Sequence, residues 1–300
     1  MVLNAKLALF SVAALVGLSA CASDIPSAPT EIAEAWPGAE WEAPAAAPDV
    51  VRQPRATTFA GGPKLREPFF SNQQLHQNFL SIAMRAEAAD DVDFAGNIAV
   101  AKWVKPLRYQ LVGATPEDVA KVTALVEQVH SLTGIDIAPA DAQEPNITLS
   151  FVPFRERDYA VAKLNDQAEM GPSVGGMVTR WRDAEREKCL GLISVDPSSG
   201  EIAKADILIK DELPPLIRNA CIVEEIVQSL GLMNDDPRAR PSIFNDSQEF
   251  LDLTSHDEYL LRVLYDPRVR PGMTLGVMRP LTQQIIRELR PNPQPVRAET

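Results

Sequence analysis

Apolar side chains recur at helical spacing through Gln73–Glu87, where Leu75, Phe79, Ile82 and Ala83 share one face. Leu107–Val112 then reads as a strand, following Trp103 and Pro106. Thr115-Pro116-Glu117-Asp118 has the chemistry of a helix start: a Thr cap, Pro in the first turn, and acids facing the positive end of the helix dipole. Val119, Val122, Val126 and Val129 continue it as one stripe, and Gly134 ends it. Strands are predicted at Ile135–Ile137 and Asn146–Phe154; in the second, Ile147, Leu149 and Phe151 alternate with Asn146, Thr148 and Ser150. Gly171–Gly176 punctuates the chain ahead of a strand at Met177–Trp181, and Leu190–Val195 and Ala205–Lys210 are two more. Pro214-Pro215 opens a helix that runs to Leu230 and stops at Gly231. Thr254 and Asp257 form a capping box for a helix through Leu264. The order predicts an α+β fold: a mixed sheet, one core, helices at the C-terminal end, and no internal repeat.

The two ends depart from this pattern. Met1–Lys6 carries one positive side chain, and Leu7–Gly17 is an eleven-residue apolar run, too short to span a bilayer. Leu18-Ser19-Ala20-Cys21 follows, and this order resembles the lipobox of bacterial lipoproteins. The resemblance implies cleavage before Cys21 and acylation of its thiol and new amino terminus; more than one acyl chain holds a protein stably on a membrane. Ala22, rather than Asp, implies the periplasmic face of the outer membrane. Residues 22–63 hold seven prolines and no periodic face, which makes them a semi-extended spacer. Trp36 and Trp41 lie within it. The expected organisation is a signal peptide at 1–20, a lipidated tether at 21–65, a globular domain at 66–290 and a loose tail at 291–300.

A formal charge of −12, becoming −13 once Lys6 is removed with the signal peptide, argues against a nucleic-acid partner, since phosphate binding is driven by Lys and Arg. Besides Cys21, only Cys189 and Cys221 remain. In an exported chain this pair is expected to bridge, closing a loop worth roughly 3–4 kcal/mol in the chain-entropy model.

On a helical wheel, Leu216, Ala220, Val223, Ile226, Val227 and Leu230 lie on one side of helix 214–230, with Cys221, Glu224, Glu225 and Gln228 on the other. The run from Glu224 to Asp235 resembles the metzincin zinc-peptidase motif, His-Glu-x-x-His-x-x-Gly-x-x-His/Asp. In that motif two His one turn apart bind zinc and the intervening Glu is the general base on bound water. Glu225 keeps the base position and Gly231 the glycine, while Glu224, Gln228 and Asn234 stand at the three ligand positions, with Asp235 adjacent. Ser242-Ile243-Phe244 resembles the family's Met-turn with Phe in place of Met. Zinc favours imidazole and thiolate, and an amide oxygen holds it poorly. Oxygen donors suit calcium or magnesium, which want about six ligands. Three readings follow: a plain amphipathic helix with a solvated polar side; a metzincin-like domain with a dead site, kept for binding or scaffolding; and a metallohydrolase in which Glu224, Gln228 and either Asn234 or Asp235 hold one divalent ion and Glu225 is the base. The expectation adopted is the second. It is a non-catalytic envelope lipoprotein without a cofactor, anchored to the membrane through Cys21, whose partner is an envelope protein or peptide.

The stretch from Cys221 through Asn245-Asp246 to Leu253-Thr254, with Leu264-Tyr265-Asp266-Pro267-Arg268 and Pro271-Gly272-Met273, also resembles a family of uncharacterised proteobacterial lipoproteins built on a domain of unknown function. That resemblance supports the location and supplies no activity. Other constellations carry less. Ser255-His256-Asp257 holds triad residue types, but neighbours at a helix start point apart. His76 and His130 sit in separate helices without ligand partners at useful spacing. Gly171–Gly176 lacks the Gly-Lys-Ser/Thr of a phosphate loop. Arg268, Arg270, Arg279, Arg287 and Arg290 make the C-terminal end basic, as a solvated helix face or as a contact for an anionic surface.

Overall fold

The structure, a computed structural model, describes residues 67–85, 99–141, 143–167, 172–185, 187–245 and 250–293. The predicted signal peptide, Cys21, the tether with Trp36 and Trp41, and residues 294–300 of the tail lie outside the described residues. The elements are α1 (Asn72–Ala83), β1 (Leu107–Val112), α2 (Pro116–Thr133), β2 (Ile137–Pro139), β3 (Ile147–Val152), a single 3-10 turn, α3 (Arg157–Gln167), α4 (Pro172–Asp183), β4 (Cys189–Val195), β5 (Ile202–Lys210), α5 (Pro215–Gln228), α6 (Ser255–Leu264) and α7 (Leu275–Leu289).

Local chemistry sets the predicted caps. The Thr115 hydroxyl accepts from the Asp118 amide at 3.2 Å, and the Asp118 carboxylate accepts from the Thr115 amide at 2.7 Å. Gly134 closes α2 at φ 72°, donating to the His130 carbonyl. Val119, placed in the apolar stripe by its spacing, is 45% exposed; Val122, Leu125, Val126 and Val129 carry the buried face.

The five strands run in the order β2-β1-β3-β5-β4. The first four are mutually parallel, and β4 pairs antiparallel with β5 from Cys189↔Ile209 to Val195↔Ile202. On its outer side β4 pairs with no strand among the described residues. The expected strand at Ile135–Ile137 instead begins at Ile137, where Leu107 on β1 supplies its partner.

The expected single core divides across the sheet, because successive strand side chains point to opposite faces. Leu149, Phe151, Ile207 and Ile209 join α1, α2, α5, α6 and α7 in the main core. Val152 and Leu208 face the other way and pack with Val161, Leu164, Val178 and Trp181 of α3 and α4. The strand predicted at Met177–Trp181 is the second half of α4. Val178 and Trp181, three residues apart, are both buried, which is helical spacing rather than alternation. Gly175 and Gly176 do not prevent this helix: an added Cβ at either meets nothing within 4 Å, so each carries only the intrinsic glycine cost of about 1 kcal/mol.

The two ends of this body meet. The Arg290 guanidinium lies 4.2 Å from the Phe70 ring centroid and donates to the Phe70 carbonyl at 3.1 Å, while Asn72 Nδ2 donates to the Arg290 carbonyl at 3.0 Å. Nearby, the Glu67 carboxylate accepts from the Ser255 amide at 3.1 Å. No helix of the described residues is long and apolar enough to cross a membrane.

Candidate functional site

Helix α5 leaves β5 through Pro214, whose fixed φ suits a helix start, and runs beneath the main face of the sheet. Arg218 pins its first turn. Its guanidinium donates to both Asp118 oxygens at 2.6 and 2.7 Å and to Asp211 Oδ1 at 2.8 Å, and lies 4.2 Å from the Phe151 centroid. Burial pushes the Asp118 carboxyl up, but hydrogen bonds from Arg218 and Thr115 outweigh it and hold the group below the usual carboxylate range. At the other end, the unpaired helix carbonyls of Ser229 and Leu230 accept from Trp103 Nε1 and the Tyr265 hydroxyl, each at 2.8 Å. Burial raises the Tyr265 phenol's pKa, keeping this donor protonated. Gly231 turns the chain out at φ 112°, where a Cβ would lie 2.2 Å from the Ala101 carbonyl oxygen.

The polar side of α5 is not solvated, which corrects the plain amphipathic reading. Glu225 is 6% and Gln228 9% exposed; Glu224 is half-buried. The Glu225 carboxylate sits against β4 where Gly191 has no side chain: a Cβ there would lie 2.5 Å from Oε2. Gly191 was not singled out from sequence, although a glycine inside a strand pattern marks close approach of this kind.

Asp235 ties two of the motif positions together, its carbonyl accepting from Asn234 Nδ2 at 2.7 Å. Gln228 Nε2 donates to Asp235 Oδ1 at 3.3 Å, so these two meet. Asn234 turns toward α1, donating through Nδ2 to the Ser81 carbonyl at 3.2 Å and through its backbone to Ile82 at 3.1 Å. Glu224 faces a small cleft beside the start of β4. The side-chain nitrogens of Gln228 and Asn234 thus both end on Asp235, and the amide oxygens that remain do not fit zinc, which wants imidazole or thiolate. Among the described residues no three His, Cys, Asp or Glu side chains gather as a metal site.

The cleft has apolar walls from Ile217, Ile243, Phe250 and Leu251, with Lys188 and Glu224 supplying charge. The Cys189–Cys221 disulfide, expected from the cysteine count, is present with Cα atoms 5.8 Å apart, and both residues line the cleft. Ile243 belongs to the turn Ser242-Ile243-Phe244, held by Asp257: Ser242 Oγ donates to it at 2.6 Å and the Ile243 amide at 3.2 Å. Asp257 also accepts from the Thr254 amide at 3.0 Å, the predicted cap.

The neighbours of Asp257 do not complete a triad: His256 Nδ1 lies 3.7 Å from Asp257 Oδ1, beyond hydrogen-bond reach. Ser255 bonds Glu67, whose own pKa is raised chiefly by burial. His256 Nε2 lies 3.1 Å from Asn78 Nδ2, and its ring packs edge-on to Phe70. These three residues form no relay. His76 is buried on α1 with Nε2 3.4 Å from Gln283 Nε2, and His130 Nδ1 lies 2.7 Å from the Ile135 carbonyl. At the basic C-terminal end, Arg268 binds Asp266 and Glu288 and Arg290 covers Phe70, while Arg279 and Arg287 are exposed on α7. Lys102, which no sequence signal marked, is buried with Nζ 2.7 Å from the Val269 carbonyl, and burial pulls its pKa down to about 8.

A family described as proteins of unknown function (DUF2927) matches residues 72–284 of the 300. No protein with a curated description and no solved structure matches the chain.

Proposed function

Since the chain belongs to the DUF2927 family of proteins of unknown function, a membership that carries no activity, we propose from the site itself that the domain is a non-catalytic binding module for an extended peptide segment. The observation that carries this is the cleft between α5 and the start of β4, an edge strand whose outer side pairs with no strand among the described residues. An exposed strand edge offers main-chain donors and acceptors to an incoming strand, and an adjacent cleft selects its side chains. Here the apolar walls would take an apolar side chain, while Lys188 and Glu224 would fix orientation through charge.

In this proposal the body is peptidase-shaped, with Glu224, Gln228 and Asn234 in place of imidazoles, a reading supported by a helix whose chain turns out at Gly231, three residues after Gln228. In the same proposal, Cys21 is acylated and residues 22–65 space the domain from the periplasmic face of the outer membrane. Cys21→Ser would then release the protein from the membrane fraction.

The test is binding of a fluorescent library of extended peptides to the purified domain. Ala220→Arg, which fills the cleft from a half-exposed position, is expected to abolish binding. Unchanged binding in that variant would refute the assignment. Stoichiometric divalent metal lost on Glu224→Ala, with peptide hydrolysis lost on Glu225→Gln, would replace it by the metallohydrolase.

A further inference from the structure

The two cysteines of the single bridge among the described residues are unequally exposed. Cys221, on α5, is 3% exposed, whereas Cys189 is half-buried at the first residue of β4, and both line the cleft. We infer that the Cys189–Cys221 bridge is a thiol-exchange site reached through this cleft, with Cys189 as the sulfur attacked and a molecule bearing a reactive thiol as the partner.

The geometry selects the direction of attack. A thiolate needs access to one sulfur while the other leaves, and Cys189 is the more exposed residue of the two. Lys188, adjacent to Cys189 and lining the same space, favours an approaching anion. Glu224, one turn beyond Cys221 on the same face of α5, opposes it. The attacking thiolate forms a bond to Cys189 Sγ, and the Cys189–Cys221 bond breaks. Cys221 leaves as a thiolate and takes a proton from water. A second thiol of the partner then displaces Cys189, so two electrons and two protons pass from a dithiol to the bridge and the partner leaves as a disulfide. The β4–β5 ladder and the Arg218–Asp118 pair do not involve either sulfur, so the edge strand loses its covalent tie to α5 while the body stays folded. This inference does not depend on what the cleft binds.

The test exposes the full-length protein to glutathione under native conditions, traps free thiols by alkylation and maps the products by mass. The expected result is glutathione on Cys189 and an alkylated Cys221, at a rate proportional to glutathione and insensitive to urea below the unfolding transition. Lys188→Glu is expected to slow the step roughly threefold, the factor a surface-strength charge interaction amounts to, and Glu224→Gln to speed it. Glutathione on Cys221, reaction only in step with global unfolding, or equal rates in Lys188→Glu and the unmodified protein would each overturn the inference.

Discussion

Replacing Gly231 by Ala tests whether the exit from α5 is built as described. Two costs add. At φ 112° a residue with a Cβ occupies backbone space that costs about 1–3 kcal/mol. The added Cβ would also sit 2.2 Å from the Ala101 carbonyl oxygen and 3.3 Å from Leu264 Cδ2. The first of these contacts is with main chain, so relief must come from moving either residue 101 or the end of α5. That movement puts at risk the bonds from Trp103 to Ser229 and from Tyr265 to Leu230, each contributing about 1 kcal/mol net. The expected loss is about 3 kcal/mol, against a total stability on the order of 5–15 kcal/mol. With a urea m-value of about 3 kcal/mol/M, the midpoint falls by about 1 M with the slope unchanged. Gly176→Ala is the control: open space around its Cβ and a helical position predict a gain of about 1 kcal/mol, or roughly 0.3 M upward. A fall of less than about 0.3 M for Gly231→Ala, or a loss for Gly176→Ala, would refute the reasoning.

Arg218→Ala leaves Asp118 buried without its counter-ion and is expected to cost about 3–5 kcal/mol in urea unfolding, partly recovered by adding Asp118→Asn. His76 has its pKa lowered first by burial and then by Arg279, so below about pH 6.5 the unfolded chain binds the proton and the fold does not. Stability is therefore expected to decline as pH falls through 6.5, and His76→Gln to flatten that part of the profile. Asp236 acts lower on the scale: despite burial, bonds from Arg238 and Ser81 hold it at about 2, so its contribution is present above 3.8 and lost as pH falls toward 2, as acid titration of Asp236→Asn against the unmodified protein would show. The Lys102 amine is expected to titrate near 8 by NMR of its ε-carbon, with its contribution to stability rising between about pH 8 and 10.5; a midpoint at 10.5 would exclude the buried cation described.

What was legible in the sequence was chemistry that acts over one or two helical turns. The caps at Thr115 and Thr254 and the exits at Gly134 and Gly231 use residue types that few other positions tolerate. Helix α4 was misread for the same reason in reverse: Gly175 and Gly176 signal a turn locally, and only packing of Val178 and Trp181 against Leu208 makes a helix of them. The site was partly legible. Helical spacing places Glu224 and Gln228 on neighbouring turns, and the bend after Gly231 brings Asp235 to Gln228. Asn234 is also tied to α1, its main chain donating to Ile82, a contact 152 residues away in sequence. Arg218 and Asp118 are 100 residues apart, and the recess that Gly191 leaves for Glu225 depends on sheet register, so neither had a local signature.

The clasp of Arg290 on Phe70, with Glu67 on Ser255 beside it, has a mechanical consequence. Tension applied through the leading 66 residues reaches these contacts, and then the packed pair α1 and α7, before it reaches any strand. A body pulled at Glu67 therefore meets the load first in helix packing, ahead of the ladder between β4 and β5.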